Sequence, residues 1–430
     1  MYLRKISLGT ISLRFGGGYT AIFPSVGLEK GPLELRNRKL NLKIIYSEKD
    51  ENKINELVGR VCDELKETFR LELESQTVKK ISQSNLIEEL DKESTIDEKT
   101  PINERPVYLV IAEKGLKYDI NAPYYKIKRL LLSKRILSQI VTRETLHDPR
   151  KMGELTTFRN SALSIFVKLG NIPWHLSRPI MLDYDSDETL IIGVGLTSIP
   201  EGLFSKVIRR YIGYFSFYNS RGVWGKLYPL FSTQDELTQK INQQLTHGID
   251  EAITAGVNKI DIIIHYTGKE LKIKEEQAIE KTLKKYSADK KIQINYAVVR
   301  LIKNSIYRMV VDNQNGYVPV GVYLDFENGL LLVNTTGLLG RKATPLGVNT
   351  PILASLRLTN MPITTEFKHN VAYSIIGLAR MNWRGVSAFN FEPASTKYAR
   401  EIAYTLARLG EDVYQEETIR RFIEEKMWFI

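Results

Sequence analysis

The chain has 430 residues, more than one hydrophobic core usually serves, so two domains are expected, with room for a small appendage. Hydrophobic residues are 43 % and charged residues 26 %, an ordinary soluble composition; no apolar run is long enough to span a membrane, and the start MYLRKISLGT lacks the apolar core of a signal peptide. A lone cysteine, Cys62, excludes an internal disulfide and a cysteine-based zinc site, and the net charge of +11 points to nucleic acid or another anionic surface.

Residues 1–46 alternate apolar and polar around Gly16-Gly17-Gly18 and Pro24, which predicts short strands and turns in an N-terminal extension. Leu57, Val61, Leu65 and Phe69 recur every four residues. That spacing predicts an amphipathic helix over 51–75, with Cys62 as a small buried hydrophobe. Residues 72–104 hold nine acids against four lysines, and this net −5 leaves +16 on the rest of the chain. The polar, Pro-flanked stretch 76–105 is expected to be an acidic loop. Val107–Ile111 reads as a buried strand. Residues 123–134 read as a helix, with Asn121 as N-cap and Pro123 in the first turn, where a missing N–H costs nothing. Strand and helix alternating in this way predict an α/β unit with parallel strands.

A second unit is expected from 171, with Leu190–Leu196 as its first strand. Residues 211–217 and 223–231 form a hairpin around Asn219-Ser220-Arg221-Gly222. Thr233-Gln-Asp-Glu236 is a capping box opening a helix that should stop at Gly256. Strands at 260–266 and 292–301 flank a helix at 275–286. Two hairpin strands follow at 320–334, and helices at 366–380 and 394–409 close the series. This order predicts a mixed sheet with flanking helices.

Several chemistry-bearing patterns fail on their spacing. Gly193-x-Gly195 follows a strand, but Ser198 breaks G-x-G-x-x-G and no Walker lysine follows. Asp183, Asp185 and Asp187 begin like an EF-hand, but Glu188 and Val194 stand where Gly and Glu are required, so a polar loop is expected. The five histidines, His147, His175, His247, His265 and His369, show no metal-ligand spacing, and neither G-x-S-x-G nor H-E-x-x-H occurs. The run NAPYYKIKRLLLSKRILSQIV is more informative. Tyr124 and Lys128 share a helical face, and Arg129 and Arg135 add positive charge. Gln139 follows after a turn, and Lys168 precedes a helix-ending glycine in VKLGNIPW. A Tyr hydroxyl, a Gln amide and two lysines can together donate to a terminal phosphate, while a ring stacks on the first base. A solvated amphipathic helix is the alternative reading of the same residues.

These two runs resemble the 5′-phosphate pocket in the MID domain of Argonaute proteins, which uses Tyr and Lys four apart, then Gln, then Lys in a K-L-G context. By that resemblance, Tyr124, Lys128, Gln139 and Lys168 bind the 5′-phosphate of a guide strand. Many Argonautes carry a further lysine four residues before the last; Ser164 stands here, which fits the short archaeal Piwi-like proteins. In those the C-terminal carboxylate enters the site through a divalent metal. The tail Lys426-Met-Trp-Phe-Ile430 is apolar like theirs. The resemblance therefore implies a divalent cation, Mg²⁺ foremost, held by Gln139 and the carboxylate of Ile430.

The likeness continues through 379–410, with an N-W-R-G run and a Y-A-x-x-I-A helix, and IIGVGLTSIP resembles the opening strand of a PIWI domain. It covers 105–430; residues 1–104 match loosely. It implies an α/β fold: a small β-rich N-terminal appendage at 1–46, a Rossmann-like MID domain at 47–170 and an RNase H-like PIWI domain at 171–430, with no PAZ domain. Slicing in that fold needs two metals held by carboxylates. The matching positions here are Gly195, Thr267 and Arg400: no ligand, a poor ligand and a cation. Asp261 is the sole carboxylate on the second strand, six residues early. The resemblance thus implies a catalytically inactive short Argonaute, cytoplasmic and not an enzyme, without membrane insertion. It would hold a 5′-phosphorylated guide, RNA by family expectation, and pair with a complementary DNA target. It would serve antiviral defence against invading DNA with an accessory protein. A metal-dependent guided nuclease with a displaced active site, or an α/β protein-interaction module, are the rival readings.

Overall fold

The computed structural model describes the chain except residues 1–3, 83–84, 116–118, 120, 201–207, 234, 268–270, 312–315, 327, 341 and 344–349. The run Val-Tyr-Leu-Val-Ile-Ala at 107–112 has no polar face, so as a strand it needs cover on both sides. It finds that cover in a four-stranded, all-parallel sheet of β1 (Lys39–Ser47), β2 (Glu72–Ile81), β3 (Val107–Ala112) and β4 (Ser138–Thr142), in the order β2-β1-β3-β4. Two helices, α1 (Glu51–Asp63) and α4 (Leu155–Lys168), bury Leu57, Val61, Phe158 and Phe166 with Leu42 and Leu109. The other face carries α2 (Leu86–Glu98) and α3 (Pro123–Ser133), whose Leu90, Ile127 and Leu131 meet Ile45, Tyr108 and Val110. This is a Rossmann-like layering with helices on both faces.

The second unit is built on a nine-stranded mixed sheet. Its strands are β5 (Glu188–Pro200), β6 (Ile208–Asn219), β7 (Trp224–Ser232), β8 (Lys259–Thr267), β9 (Gln293–Ile302), β10 (Val322–Asp325), β11 (Leu330–Val333) and β12 (Ile352–Thr359), joined by the N-terminal strand Arg4–Ser7. From the Arg4–Ser7 edge the order is β10-β11-β12-β9-β8-β5-β6-β7. β8 runs parallel to both β5 and β9, and the other pairings are antiparallel. Helices α5 (Leu237–Ala252) and α6 (Ile273–Lys290) cover one face through Ile241, Leu245, Ile279 and Leu283. The other face carries α7 (Thr365–Arg380) and α8 (Ala394–Leu409), and α9 (Glu417–Glu425) follows against β7. Helix α8 lies hard on β5 because Gly193 and Gly195 place no side chain beneath it. A Cβ at Gly193 would sit 2.0 Å from Ser395 O, and one at Gly195 would sit 2.5 Å from the carbonyl carbon of Ala399.

Several expectations need correction. The stretch 76–105 is not a loop: it completes β2 and forms α2. Strand β2 is an exposed edge held by its main-chain ladder to β1, and so gives no apolar signal. Three acids of α2 are ion-pair partners, with Lys43 Nζ 3.3 Å from Glu93 and 2.6 Å from Asp97, Lys79 also on Glu93, and Lys134 on Asp91. The appendage boundary at 46 falls at the end of β1, which is an interior strand of the first sheet. The remainder of 1–46 ties to the second unit: Arg4–Ser7 pairs with β10, Leu13 pairs with Leu176, and the Arg380 guanidinium donates to Ile22 O. The helix expected over 51–75 ends at Thr68 through a single π turn. Ala122, not Asn121, caps α3. Helix α5 starts at Leu237 with Glu236 as N-cap and no side-chain cap, and it ends at Ala252, short of Gly256; Gln234 lies outside the described residues.

Candidate nucleic-acid interface

Helix α3 begins with Pro123 at its first position and turns Ile127 and Leu131 to the parallel sheet. Lys128 lies on the adjoining face and is 2 % exposed. Its Nζ donates to the main-chain oxygens of Ser138 at 2.7 Å and Trp428 at 2.9 Å. Lys168 closes α4 just before Gly170, whose φ of +90° turns the chain, and it is fully buried. Its Nζ donates to Gln139 Oε1. Tyr124 is half-buried one helical turn before Lys128. The structure thus brings all four residues read from the sequence to one place.

That place includes a cation which the sequence reading did not assign. Arg384 donates to Phe429 O at 2.5 Å and pairs with Glu401 at 2.5 Å. Burial, followed by the nearby Arg384 charge, pushes Lys128 down to about 7. Burial, then Lys128, then Arg384 hold Lys168 well below its ordinary value. Burial raises Tyr124, which Arg384 partly opposes. Among the described ion pairs neither lysine meets a carboxylate. Burying such charges costs several kcal/mol each unless a counter-ion arrives. The signal for Arg384 was present in the N-W-R-G run, but its guanidinium reaches the site only because α7 and α8 turn there.

The tail completes the site. Met427, Trp428, Phe429 and Ile430 are all buried, and Phe429 lies 5.3 Å from the Tyr398 ring and 6.4 Å from Trp224. Each such side chain contributes roughly 1.5–3 kcal/mol by leaving water. Ser164, one turn before Lys168, is buried and offers a hydroxyl where many Argonautes have an amine.

Gly195, Thr267 and Arg400 also converge. Tyr266 pairs with Val194 in register, which sets Thr267 beside Gly195, and a Cβ on Gly195 would lie 2.6 Å from the Arg400 nitrogen. Arg400 donates to Glu392 at 2.7 Å, and Lys303 holds the same carboxylate at 3.1 Å. Among the described residues no cluster of three or more His, Cys, Asp or Glu could hold a metal. Asp261 is buried at the far end of β8, where it accepts from Leu182 N (2.5 Å), Asp183 N (2.9 Å), Ser186 Oγ (2.6 Å) and Asn295 Nδ2 (3.1 Å). Its oxygens are occupied in fixing the loop before β5. His265 sits between Ser374 and Ser395 hydroxyls at 3.0 Å each, and burial holds it neutral at about 3.

A parallel α/β sheet docked on a large mixed sheet, with buried cations at the junction, defines a Rossmann-like MID domain joined to an RNase H-like PIWI domain. The family described as Piwi domain matches residues 114–410, and the chain belongs to that family as an Argonaute/Piwi-like protein. No curated protein sequence matches it significantly. Among solved structures it is similar to Drosophila Piwi (TM-score 0.73, 13 % identity, 99 % of this chain and 56 % of that one). It is also similar to Clostridium butyricum Argonaute bound to a guide DNA and a 19-mer target DNA (0.69, 15 %, 95 % and 53 %). The Argonaute of Aquifex aeolicus gives 0.62, 17 %, 100 % and 57 %. The chain therefore spans a little over half the length of these proteins, and at such identities the likeness shows the fold. No helix among the described residues is long and apolar enough to cross a membrane.

Proposed function

We propose that the chain binds the 5′-phosphorylated end of a guide strand at Tyr124, Lys128, Gln139, Lys168 and Arg384, and does not cut the paired target. The observation that carries the reading is the pair of buried lysines beside Arg384, neither with a carboxylate partner among the described residues. A terminal phosphate supplies the missing negative charge and accepts several charge-assisted hydrogen bonds at once. The Clostridium protein bound to guide and target DNA supports the same use of the fold. An RNA guide, a DNA target, an accessory effector protein and a role in defence within the cytoplasm follow the family expectation and belong to this proposal.

The non-cutting half rests on Gly195, Thr267 and Arg400. Helix α8 fills the space where a carboxylate on β5 would stand, and Arg400 brings positive charge there. The rival of a displaced nuclease site loses its one candidate acid, because Asp261 is spent on main-chain and side-chain donors. A divalent cation fits only together with the phosphate. The chain offers two oxygens, Gln139 Oε1 and the Ile430 carboxylate, and the first is already taken by Lys168. Bound there, the cation would neutralise phosphate charge.

The deciding experiment compares 5′-phosphorylated and 5′-hydroxyl guides of one sequence by fluorescence anisotropy, with and without Mg²⁺. A preference for the phosphorylated guide is expected, and equal affinities would sink the pocket. Incubating the loaded chain with labelled target and Mg²⁺ or Mn²⁺ should return intact target; site-specific cleavage would restore the nuclease reading.

A further inference from the structure

A second concentration of positive charge lies outside the guide-end site. A cavity of about 800 Å³ opens where the amino ends of the first sheet's strands face α9. Seven Lys and Arg side chains line it against Glu72 and Glu425, and none of Tyr124, Lys128, Gln139, Lys168 or Arg384 takes part. Three parts of the chain supply it: the segment entering β1, the loops before β3 and β4, and α9 with Lys426.

The outer cations are satisfied. Arg38 lies 3.8 Å from Glu72, and Arg421 pairs with Glu417 at 2.6 Å. The inner ones are not. Arg105 spends its donors on the main-chain oxygens of Thr100 (3.0 Å), Lys134 (2.6 Å) and Glu98, which fixes the guanidinium, and the Glu98 charge offsets burial and Arg135 only in part. Arg135 stands beside it, half-buried; its main-chain N donates to Leu132 O at 2.9 Å, but its guanidinium makes no hydrogen bond or ion pair among the described residues. Lys426 is half-buried on the opposite wall, likewise without a carboxylate among the described residues. Burial, then Arg135, lowers the Arg105 pKa. Arg135 also holds a left-handed backbone, with φ of +55°, a conformation that favours glycine. Like charges held together in a concave, partly dehydrated space focus the field toward an anion. Fixed guanidinium groups beside an ammonium suit phosphate oxygens in particular.

We propose that this cavity is a second phosphate site, which takes a polyphosphate group or the backbone of a nucleic-acid strand while the guide end is occupied. The cavity exceeds one phosphate in volume, so two or more linked phosphates are the matching ligand. Lys426 adjoins the tail whose carbonyls meet Lys128 and Arg384, which makes the two sites neighbours with separate cations.

The test is isothermal titration of the full chain, first saturated with a 5′-phosphorylated guide. Three probes are added in turn: inorganic tripolyphosphate, ATP, and a non-complementary 5′-hydroxyl 12-mer. One further equivalent of at least one probe should bind. Tripolyphosphate and ATP binding assigns the site to free polyphosphates, and binding by the 12-mer alone assigns it to a strand. Arg135→Gly keeps the left-handed backbone at no cost, so it should fold, keep guide affinity and lose about 10-fold or more in probe affinity. Lys426→Gln should weaken the same probes. Displacement of the probes by the phosphorylated guide, or unchanged probe binding in Arg135→Gly, would overturn the proposal. If no guide binds at all, comparison of Arg135→Gly with the parent chain still decides the cavity.

Discussion

Lys168 shows how a residue that is poor for stability can suit the proposed phosphate site. Its ammonium is fully buried, donates to Gln139 Oε1 and has like charges from Lys128 and Arg384 nearby. Replacing a buried, unneutralised charge with an apolar chain of similar length is often neutral or stabilising. Lys168→Met is therefore expected to melt at the same temperature as the parent or higher, while its preference for a phosphorylated guide drops by roughly 1.5–3 kcal/mol, the worth of a charged hydrogen bond. Thermal melting and paired anisotropy titrations measure the two effects, and a large loss of stability would mark Lys168 as structural. The sign of the pH effect follows from its lowered pKa. The folded state binds fewer protons than the unfolded one between the folded pKa and the ordinary lysine value, so stability rises with pH across that window. Lys168→Met should flatten that rise. Tyr124, Lys128, Gln139 and Lys168 came from the resemblance, since their spacing alone also fits an amphipathic helix, and Lys168 meets Gln139 across 29 positions. The resemblance carried Arg384 only as part of the N-W-R-G run and gave it no place in the pocket, because its approach depends on how α7 and α8 pack. The sequence did not show that α8 fills the space beside Gly195. Gly195→Asp should consequently cost about 1–3 kcal/mol in urea unfolding through overpacking and restore no cleavage.

At the scale of elements, the reading succeeded where burial writes a pattern. Strand β3 and the centre of β5 at Leu190–Leu196 are continuous apolar runs, β8 carries Ile262–Ile264 at its centre, and α3 shows its core stripe as Ile127 and Leu131. It failed where main-chain pairing or charge pairing does the holding. Strand β2 is stabilised by its ladder to β1, and α2 answers Lys43 and Lys79 with Glu93 and Asp97, so both looked like a polar loop. Leu90 nonetheless plugs α2 into the sheet with no exposed surface. Leu90→Ala should cost roughly 2–5 kcal/mol by chemical denaturation and open 76–105 to limited proteolysis. A true loop would leave stability unchanged and be cut in the parent chain. Helix α9 was missed although Ile419, Phe422 and Ile423 have helical spacing. Its Glu424 is pushed up to about 7, chiefly by burial. The folded state therefore holds that proton longer than the unfolded state, and stability falls as pH rises from the ordinary carboxylate range toward 7. Glu424→Gln should remove this fall, seen as a flatter dependence of melting temperature on pH between 5 and 8.

The whole molecule hinges on the junction between its two sheets, and the junction is closed by the last four residues. Trp428 and Phe429 fill it with aromatic surface against Tyr398 and Trp224, while their carbonyls hold Lys128 and Arg384 in place. An apolar tail of this kind is readable in the sequence; that its carbonyls meet Lys128 and Arg384 is not, because the Lys128 contact joins residues 300 positions apart. Two effects of removing Met427–Ile430 can then be separated. The loss of buried aromatic surface lowers the melting temperature, with roughly 1.5–3 kcal/mol for each large side chain. The loss of the two carbonyls frees Lys128 and Arg384 to reorient, so the preference for a phosphorylated guide should fall further than stability alone explains. Phe429→Leu provides the control, since it trims the packing and leaves the main-chain oxygens in place. It should lower the melting temperature while keeping the phosphate preference, and if both variants lose that preference in proportion to stability, the tail is a packing element only.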